Sequence, residues 1–315
     1  MPTTNDLTTS FVGEFAGQYL QETLLTSNSL TNGMVTLKTN IYGAEIVKRI
    51  ALSGNLFQDA SCDFSADGTV TIDERTIAPK RMKINKQLCK KDFDFDWETR
   101  SQGPSATEKL APRVQREMIA AMLGNAAAVN EIMLWQGVDG AGSYDGFETL
   151  FAADAVVQAN TTTGTEATTA TNVLDLIGTL LDSVPVAVRE MPGFKIGVAP
   201  NVYYALRRAY GGFGVDGLGA NGINGEGAAK SWDDTVLPFE GVQIVKCKGM
   251  KANSMVATYS ENLMFGTAIM SDWNSVRLID QENVDGSENV NFISKFSAAV
   301  QYGWGGDIYY YEYTA

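Results

Sequence analysis

The stretch Pro192-Gly193-Phe194-Lys195-Ile196-Gly197-Val198-Ala199-Pro200-Asn201, running into Val202-Tyr203-Tyr204-Ala205-Leu206-Arg207, decides how this chain is read. Phe194 to Ala199 has the composition of a buried strand. Pro200-Asn201 makes the first turn of a helix that reaches Tyr210. Upstream, Asn172 to Arg189 predicts a helix with Val173, Leu176, Ile177, Leu180, Leu181 and Val184 on its buried side, and Pro185 bends or ends it. Residues 159–171 are almost all Thr, Ala, Gly and Asn and read as a loop. Downstream, strands are expected at 242–247, 254–259, 262–266 and 274–280. Helix, strand, helix, loop and strands in that order imply an α/β domain over about 150–274.

Working outward, Asn289 to Tyr313 alternates through Phe292, Phe296, Val300 and Tyr302, and reads as paired strands around a turn at 303–307. Toward the N-terminus, 105–135 carries the longest helical signal. Val114, Met118, Ala121, Met122, Asn125, Val129, Ile132 and Met133 keep 3–4 spacing, and Pro112 suits a first helical position. Before it, Ala44 to Ile50 reads as a short amphipathic helix. Residues 62–91 read as a hairpin, with Asp67-Gly68 as the turn signal and strands at Thr69–Ile72 and Thr76–Leu88. That hairpin is basic through Lys80, Arg81, Lys83, Lys86, Lys90 and Lys91. Asp92, Asp94, Asp96 and Glu98 then interleave with Phe93, Phe95 and Trp97, so an extended chain would carry acids on one face and aromatics on the other. Residues 1–40 are rich in Thr, Ser and Asn but carry Phe11, Phe15 and Tyr19, which fits an arm that packs on something.

Composition excludes several function classes. The chain has 315 residues, 24 basic against 37 acidic side chains, a net charge of −13 and no histidine. Histidine-based catalysis and His-ligated metals are therefore absent, and the charge disfavours a nucleic-acid grip. The charged fraction of 19% is below the roughly 25% of soluble domains, as a subunit enclosed by neighbours would have. No membrane span is expected, and polar Met1–Ser10 predicts no secretory signal. Cys62, Cys89 and Cys247 are widely spaced and fit free thiols, with a Cys62–Cys89 pairing across the hairpin as the alternative.

The glycine tract 211–227 holds eight glycines in 17 residues, among them Gly211, Gly212, Gly214, Gly217, Gly219 and Gly222. It matches the dinucleotide fingerprint twice. A helix precedes it where a strand is required, so it reads as a loop and no cofactor is expected. Asp92, Asp94 and Asp96 lack the Gly and bidentate Glu of a calcium loop and read as a solvated or intersubunit face. The basic run fits an exposed edge strand guarded by lysine, or a surface complementary to acidic neighbours.

This order of parts resembles a tailed-phage major capsid protein with the Hong Kong 97-like fold, an α+β architecture. The resemblance rests on arrangement. It is carried by Pro192–Arg207, by Trp135-Gln136-Gly137 through Tyr144-Asp145-Gly146-Phe147, by Leu237–Val245, by Phe265-Gly266 and Ser275–Leu278, and by the closing alternation to Tyr311. It implies an N-terminal arm (1–40), a peripheral-domain start (41–61), an extended loop (62–104), a spine helix with the peripheral domain (105–149), an axial domain (150–274) and closing peripheral strands (275–315). The implied function is that of a virion shell subunit, assembled in a bacterial cytoplasm as hexamers and pentamers around packaged double-stranded DNA. The implied partners are a portal and a separate scaffolding or decoration protein, with no sequence-specific DNA contact and no membrane. On this reading Phe11, Phe15, Tyr19, the basic run from Lys80 to Lys91, and Asp92, Asp94 and Asp96 are intersubunit contacts, and the glycine tract is an axial loop. The rival readings are an encapsulin-type compartment and a carboxylate-dependent enzyme in the 150–274 domain.

Overall fold

Strand-forming and helix-forming segments sort into two sheets, a protruding ribbon and one long helix. In this computed structural model the described residues are 28–54, 57, 68–89, 112–210, 236–268, 276–282, 286–287 and 289–313. The chain enters through a helical turn, α1 (Asn28–Thr31), and β1 (Thr36–Lys38). Then come β2 (Glu45–Ser53), β3 (Thr69–Ile77), β4 (Lys80–Cys89) and the long α2 (Pro112–Gln136). Two short helices, α3 (Phe147–Ala153) and α4 (Ala155–Ala159), lead to β5 (Thr161–Gly164). Next are α5 (Val173–Ser183), α6 (Val186–Arg189), β6 (Phe194–Val198) and α7 (Pro200–Tyr210). The remaining strands are β7 (Val236–Phe239), β8 (Val242–Lys246), β9 (Met255–Tyr259), β10 (Leu263–Gly266), β11 (Val276–Asp280), β12 (Asn289–Tyr302) and β13 (Tyr309–Tyr313).

The stretch that opens the sequence reading sits at the centre of a six-stranded sheet ordered β5-β13-β9-β6-β8-β7. β6 pairs parallel with β8 and antiparallel with β9. It is covered, which is why Phe194, Ile196 and Val198 are all buried. Lys195 turns its ammonium outward to donate to the carbonyls of Asn32 and Gly33, at 2.9 and 3.1 Å, and so fastens the entering segment. α7 lays Val202, Ala205, Leu206 and Ala209 against the sheet at helical spacing. α5 does the same with Val173, Ile177, Leu180 and Leu181, and Pro185 separates it from α6 as the sequence suggests.

The second sheet is ordered β1-β10-β12-β11, with β4 also paired to β12. β12, 14 residues long, is its spine and is flanked by both β11 and β4 over 290–294. A continuous aromatic series ties the two sheets to α2. Trp135 meets Phe147 at 5.3 Å between ring centroids and Phe147 meets Phe151 at 6.1 Å. Phe151 then touches Tyr302 of β12 at 5.5 Å and Tyr310 of β13 at 5.7 Å.

Four expectations are corrected. The helix expected at Ala44–Ile50 is strand β2, because Ile46, Lys48, Ile50 and Leu52 alternate along an extended chain. The hairpin pairs β2 with β3, not Thr69–Ile72 with Thr76–Leu88. Only Ala78-Pro79 separates β3 from β4, and a two-residue hairpin needs φ > 0 at its first central residue, whereas a residue before proline is held extended. The chain therefore runs through, and β4 joins β12. The closing strands are not paired with each other: Asn262 holds Gly303 and Trp304, and a 3-10 turn over Gly305–Asp307 carries the chain from one sheet to the other. The stretch 159–171, expected as a loop, contributes β5, which pairs parallel with β13 at the edge of the six-stranded sheet.

α2 spans 25 residues, about 37 Å, and reaches the six-stranded sheet through Gly249. A Cβ there would lie 1.9 Å from the Glu131 carbonyl oxygen. The Gln136 amide donates to the Gly249 carbonyl at 2.6 Å, locking helix and loop together. Gly249→Ala must push them apart, and is expected to cost about 1–3 kcal/mol in a denaturant titration.

Candidate assembly interface

The antiparallel register of the β2–β3 ribbon fixes what each face carries. One face pairs Val47 with Arg75, Arg49 with Asp73 and Glu45 with Ile77. This face is docked on the body. The Arg49 guanidinium lies 4.1 Å from the Trp304 ring centre, and the Arg75 guanidinium 4.1 Å from that of Tyr302. Arg75 also pairs with Asp154, and the Gln301 amide donates to the Thr76 carbonyl at 3.0 Å. Ile77 is buried beside Ile41, Met264 and Ala299.

Asp154 is the hub of that clamp. One carboxylate oxygen caps α4 by accepting the Val156 N–H at 2.8 Å; the other accepts the Tyr302 hydroxyl at 2.5 Å and pairs with Arg75. Desolvation alone would raise its pKa, but the hydrogen bonds from Tyr302, Val156 and Arg75 outweigh it and hold the carboxyl below the ordinary 3.8. A carboxyl lowered by folding contributes its stabilisation fully above 3.8, and that contribution is lost as pH falls through the folded value. Asp154→Asn is therefore expected to cost about 1–3 kcal/mol at neutral pH, with the difference from wild type shrinking below pH ~4 in thermal melts.

The other face of the ribbon has the opposite character. It pairs Ile50 with Ile72 and Leu52 with Val70, beyond a Lys48–Glu74 ion pair of 3.1 Å. These apolar side chains are 67%, 57%, 62% and 63% exposed, and Ile46 on the same face is exposed too. A two-stranded ribbon is marginal alone, and an apolar patch held out in water marks a contact surface. The basic and acidic residues singled out in the sequence do not include this stripe. Its signal was the period-two alternation of 46–52, which also fits a short helix.

β4 pairs only with β12 among the described strands, and its alternation divides the basic run. Lys80 is held within the chain, donating to Asp139 at 2.6 Å and to the Gly140 carbonyl. Arg81 and Lys83 share one face with Lys295 of β12, while Lys86 stands opposite Phe292 on the other. Phe11, Phe15, Tyr19, Lys90, Lys91, Asp92, Asp94, Asp96 and Gly211, Gly212, Gly214, Gly217, Gly219 and Gly222 lie outside the described residues. So does Cys62; Cys89 and Cys247 are free thiols.

Among the described residues of the 150–274 region, no three acidic side chains gather into a group that could hold a metal ion. Glu240 pairs with Arg189 at 2.7 Å on the surface, and Asp154 serves the clamp. The neighbouring Glu148 is buried and accepts from the Lys251 N–H at 2.9 Å and the Ser254 hydroxyl at 3.2 Å, tying α3 to the β8–β9 turn. Burial raises its pKa.

Among solved structures the chain is similar to the capsid of an empty GTA particle, at 12% identity and a TM-score of 0.59, covering 92% of this chain and 91% of that one. It is also similar to a Mycobacterium phage Ogopogo structure, at 10% identity and a TM-score of 0.58, covering 91% and 92%. The fold is a phage capsid fold. A virus-like particle from Pyrococcus furiosus shares it at 10% identity and a TM-score of 0.53, over 95% of this chain and 98% of that one. No protein-family model and no curated protein matches the chain.

Proposed function

We propose that this chain is a self-assembling shell subunit, the major capsid protein of a tailed phage, whose copies form an icosahedral container for double-stranded DNA. The observation that carries the reading is the ribbon. Its inner face is clamped to the body by Arg49, Arg75 and Asp154, while its outer face holds Ile50, Leu52, Val70 and Ile72 in water. Such a lever suits a subunit that lies across a neighbour and closes rings of copies, with no chemistry to perform. Hexamers and pentamers, a portal and a separate scaffolding or decoration protein belong to the same reading, as do a contact role for the arm 1–40 and an axial-loop role for the glycine tract 211–227.

The test is expression of the chain alone, followed by size exclusion and electron microscopy. Closed shells or capsomer rings are the expected product; a clean monomer of 34.0 kDa at micromolar concentration would overturn the reading. The likeness to the Pyrococcus furiosus particle supports a second reading, an encapsulin-type compartment. Particles recovered from the natural host separate the two. Nuclease-protected DNA inside favours the phage shell, and enclosed protein cargo favours the compartment.

A further inference from the structure

β4 and β12 build a cationic cleft that the ribbon does not account for. Lys83 stands directly opposite Lys295 in the β4–β12 register, with Arg81 opposite Ser297 one step along the same face. Arg81, Lys83 and Lys295 line a cleft of about 620 Å³, with Tyr42 and Pro79 also on its lining. Like charges set opposite each other across strands repel and destabilise the pair. Among the described residues no carboxylate pairs with any of these three cations. An anion brought to the cleft offsets that repulsion, and anions spaced along an extended strand match it best.

The chain itself contains such a ligand. Asp92-Phe93-Asp94-Phe95-Asp96-Trp97-Glu98 places an acid at every second position and an aromatic between each pair. In an extended strand the acids fall about 7 Å apart on one face, matching cations spaced along β4 and β12, and the aromatics face the other way. We propose that the Arg81–Lys83–Lys295 cleft receives the 92–98 segment of a second copy of this chain. The proposal rests on the shell-subunit reading and adds to it a second, charge-selected contact beside the apolar ribbon face. At −13, the surface of another copy is itself a source of anions, so the cleft favours self-association over free phosphate polymers that the rest of the molecule repels.

Two charge reversals test it. One carries Lys83→Glu with Lys295→Glu; the other carries Asp94→Lys with Asp96→Lys. Each alone is expected to raise the critical concentration for assembly at least tenfold, while circular dichroism melts of the unassembled chain stay as in wild type. A 1:1 mixture of the two is expected to assemble near the wild-type concentration, because each variant supplies what the other has reversed. Lys83→Gln with Lys295→Gln, which keeps the strand pair and removes only charge, should be impaired in the same direction and guards against a folding effect. Four results overturn the proposal. Wild-type assembly by both reversals would do so and leave the shell reading standing. Rescue only when all four changes sit in one chain would place the contact within a subunit. Intact assembly with loss of retained DNA would assign the cleft to nucleic acid. Failure of the wild type to assemble would remove the shell reading together with it.

Discussion

Replacing Ile50, Leu52, Val70 and Ile72 together by threonine is expected to abolish assembly while leaving the subunit folded. Threonine keeps the branched Cβ that suits a strand, so the β2–β3 pairing and its register survive. Only the apolar area is removed. Each of these side chains leaves more than half of its surface in water in the free subunit. Burying that remainder against a neighbour is worth about 1 kcal/mol per residue, and four together about 4 kcal/mol, close to a thousandfold in contact affinity. Sedimentation velocity reads the outcome as a shift from large particles to single subunits. Melting of the isolated subunit should move little, since exposed substitutions away from packed groups change stability by only ~0.5 kcal/mol each. Wild-type particles from this variant would show that the stripe lies outside every contact.

The reason this stripe escaped the sequence reading is physical. Ile46, Val47 and Ile50 satisfy helical spacing as well as Ile46, Lys48, Ile50 and Leu52 satisfy strand spacing, and over so short a run the two periods are not separable. Sequence patterning also assumes that apolar faces turn inward to the chain's own core. A face that waits for another molecule carries the same residues, and nothing local distinguishes the two. The division of the basic run was hidden for a related reason. Which of Lys80, Arg81, Lys83 and Lys86 share a face follows from alternation, but that Lys83 meets Lys295 depends on a partner more than 200 residues away. By contrast, β6 and α7 were legible because both are covered by their own chain. Phe194 to Ala199 has a single polar side chain, Lys195, among apolar residues and glycine, and Pro200 marks the change of period. The length of α2 was legible too, since 3–4 spacing sustained over so many residues admits no strand alternative. The crossing of the chain from β12 to β13 was not, because alternation continues through both strands and the sequence does not reveal which sheet each one joins.

The clamp and the aromatic series explain how a contact at the ribbon can be rigid although the ribbon is thin. Arg75 and Asp154 fix its inner face to Tyr302, and Tyr302 is in turn packed against Phe151. Contacts therefore run without a break from the ribbon through β12 and α3 to α2. Salt separates the two parts of this linkage. Exposed pairs such as Lys48–Glu74 and Lys80–Asp139 are screened over ~10 Å at 0.1 M, while the half-buried cation–aromatic stacks are screened less.

Phe151→Ala is expected to be the most destabilising single change in the body of the protein, at about 3–5 kcal/mol by denaturant titration. Phe151 has no exposed surface, and three aromatic rings meet it within 6.1 Å: Phe147 on its own helix, Tyr302 on β12 and Tyr310 on β13. Through it α3 meets a strand of each sheet, so its loss opens a cavity where they join. The walls cannot collapse into that space. Tyr302 is held by its hydroxyl on Asp154, and Tyr310 by the pairing of β13 with both β9 and β5. Phe151→Leu keeps most of the volume and should cost less than half as much. Both variants leave the ribbon's outer face untouched, so a reduced yield of particles from Phe151→Ala, restored at lower temperature, would trace to the fold of the subunit. The four-threonine ribbon variant should show no such recovery. That contrast separates a subunit that cannot fold from one that folds and has lost its neighbour.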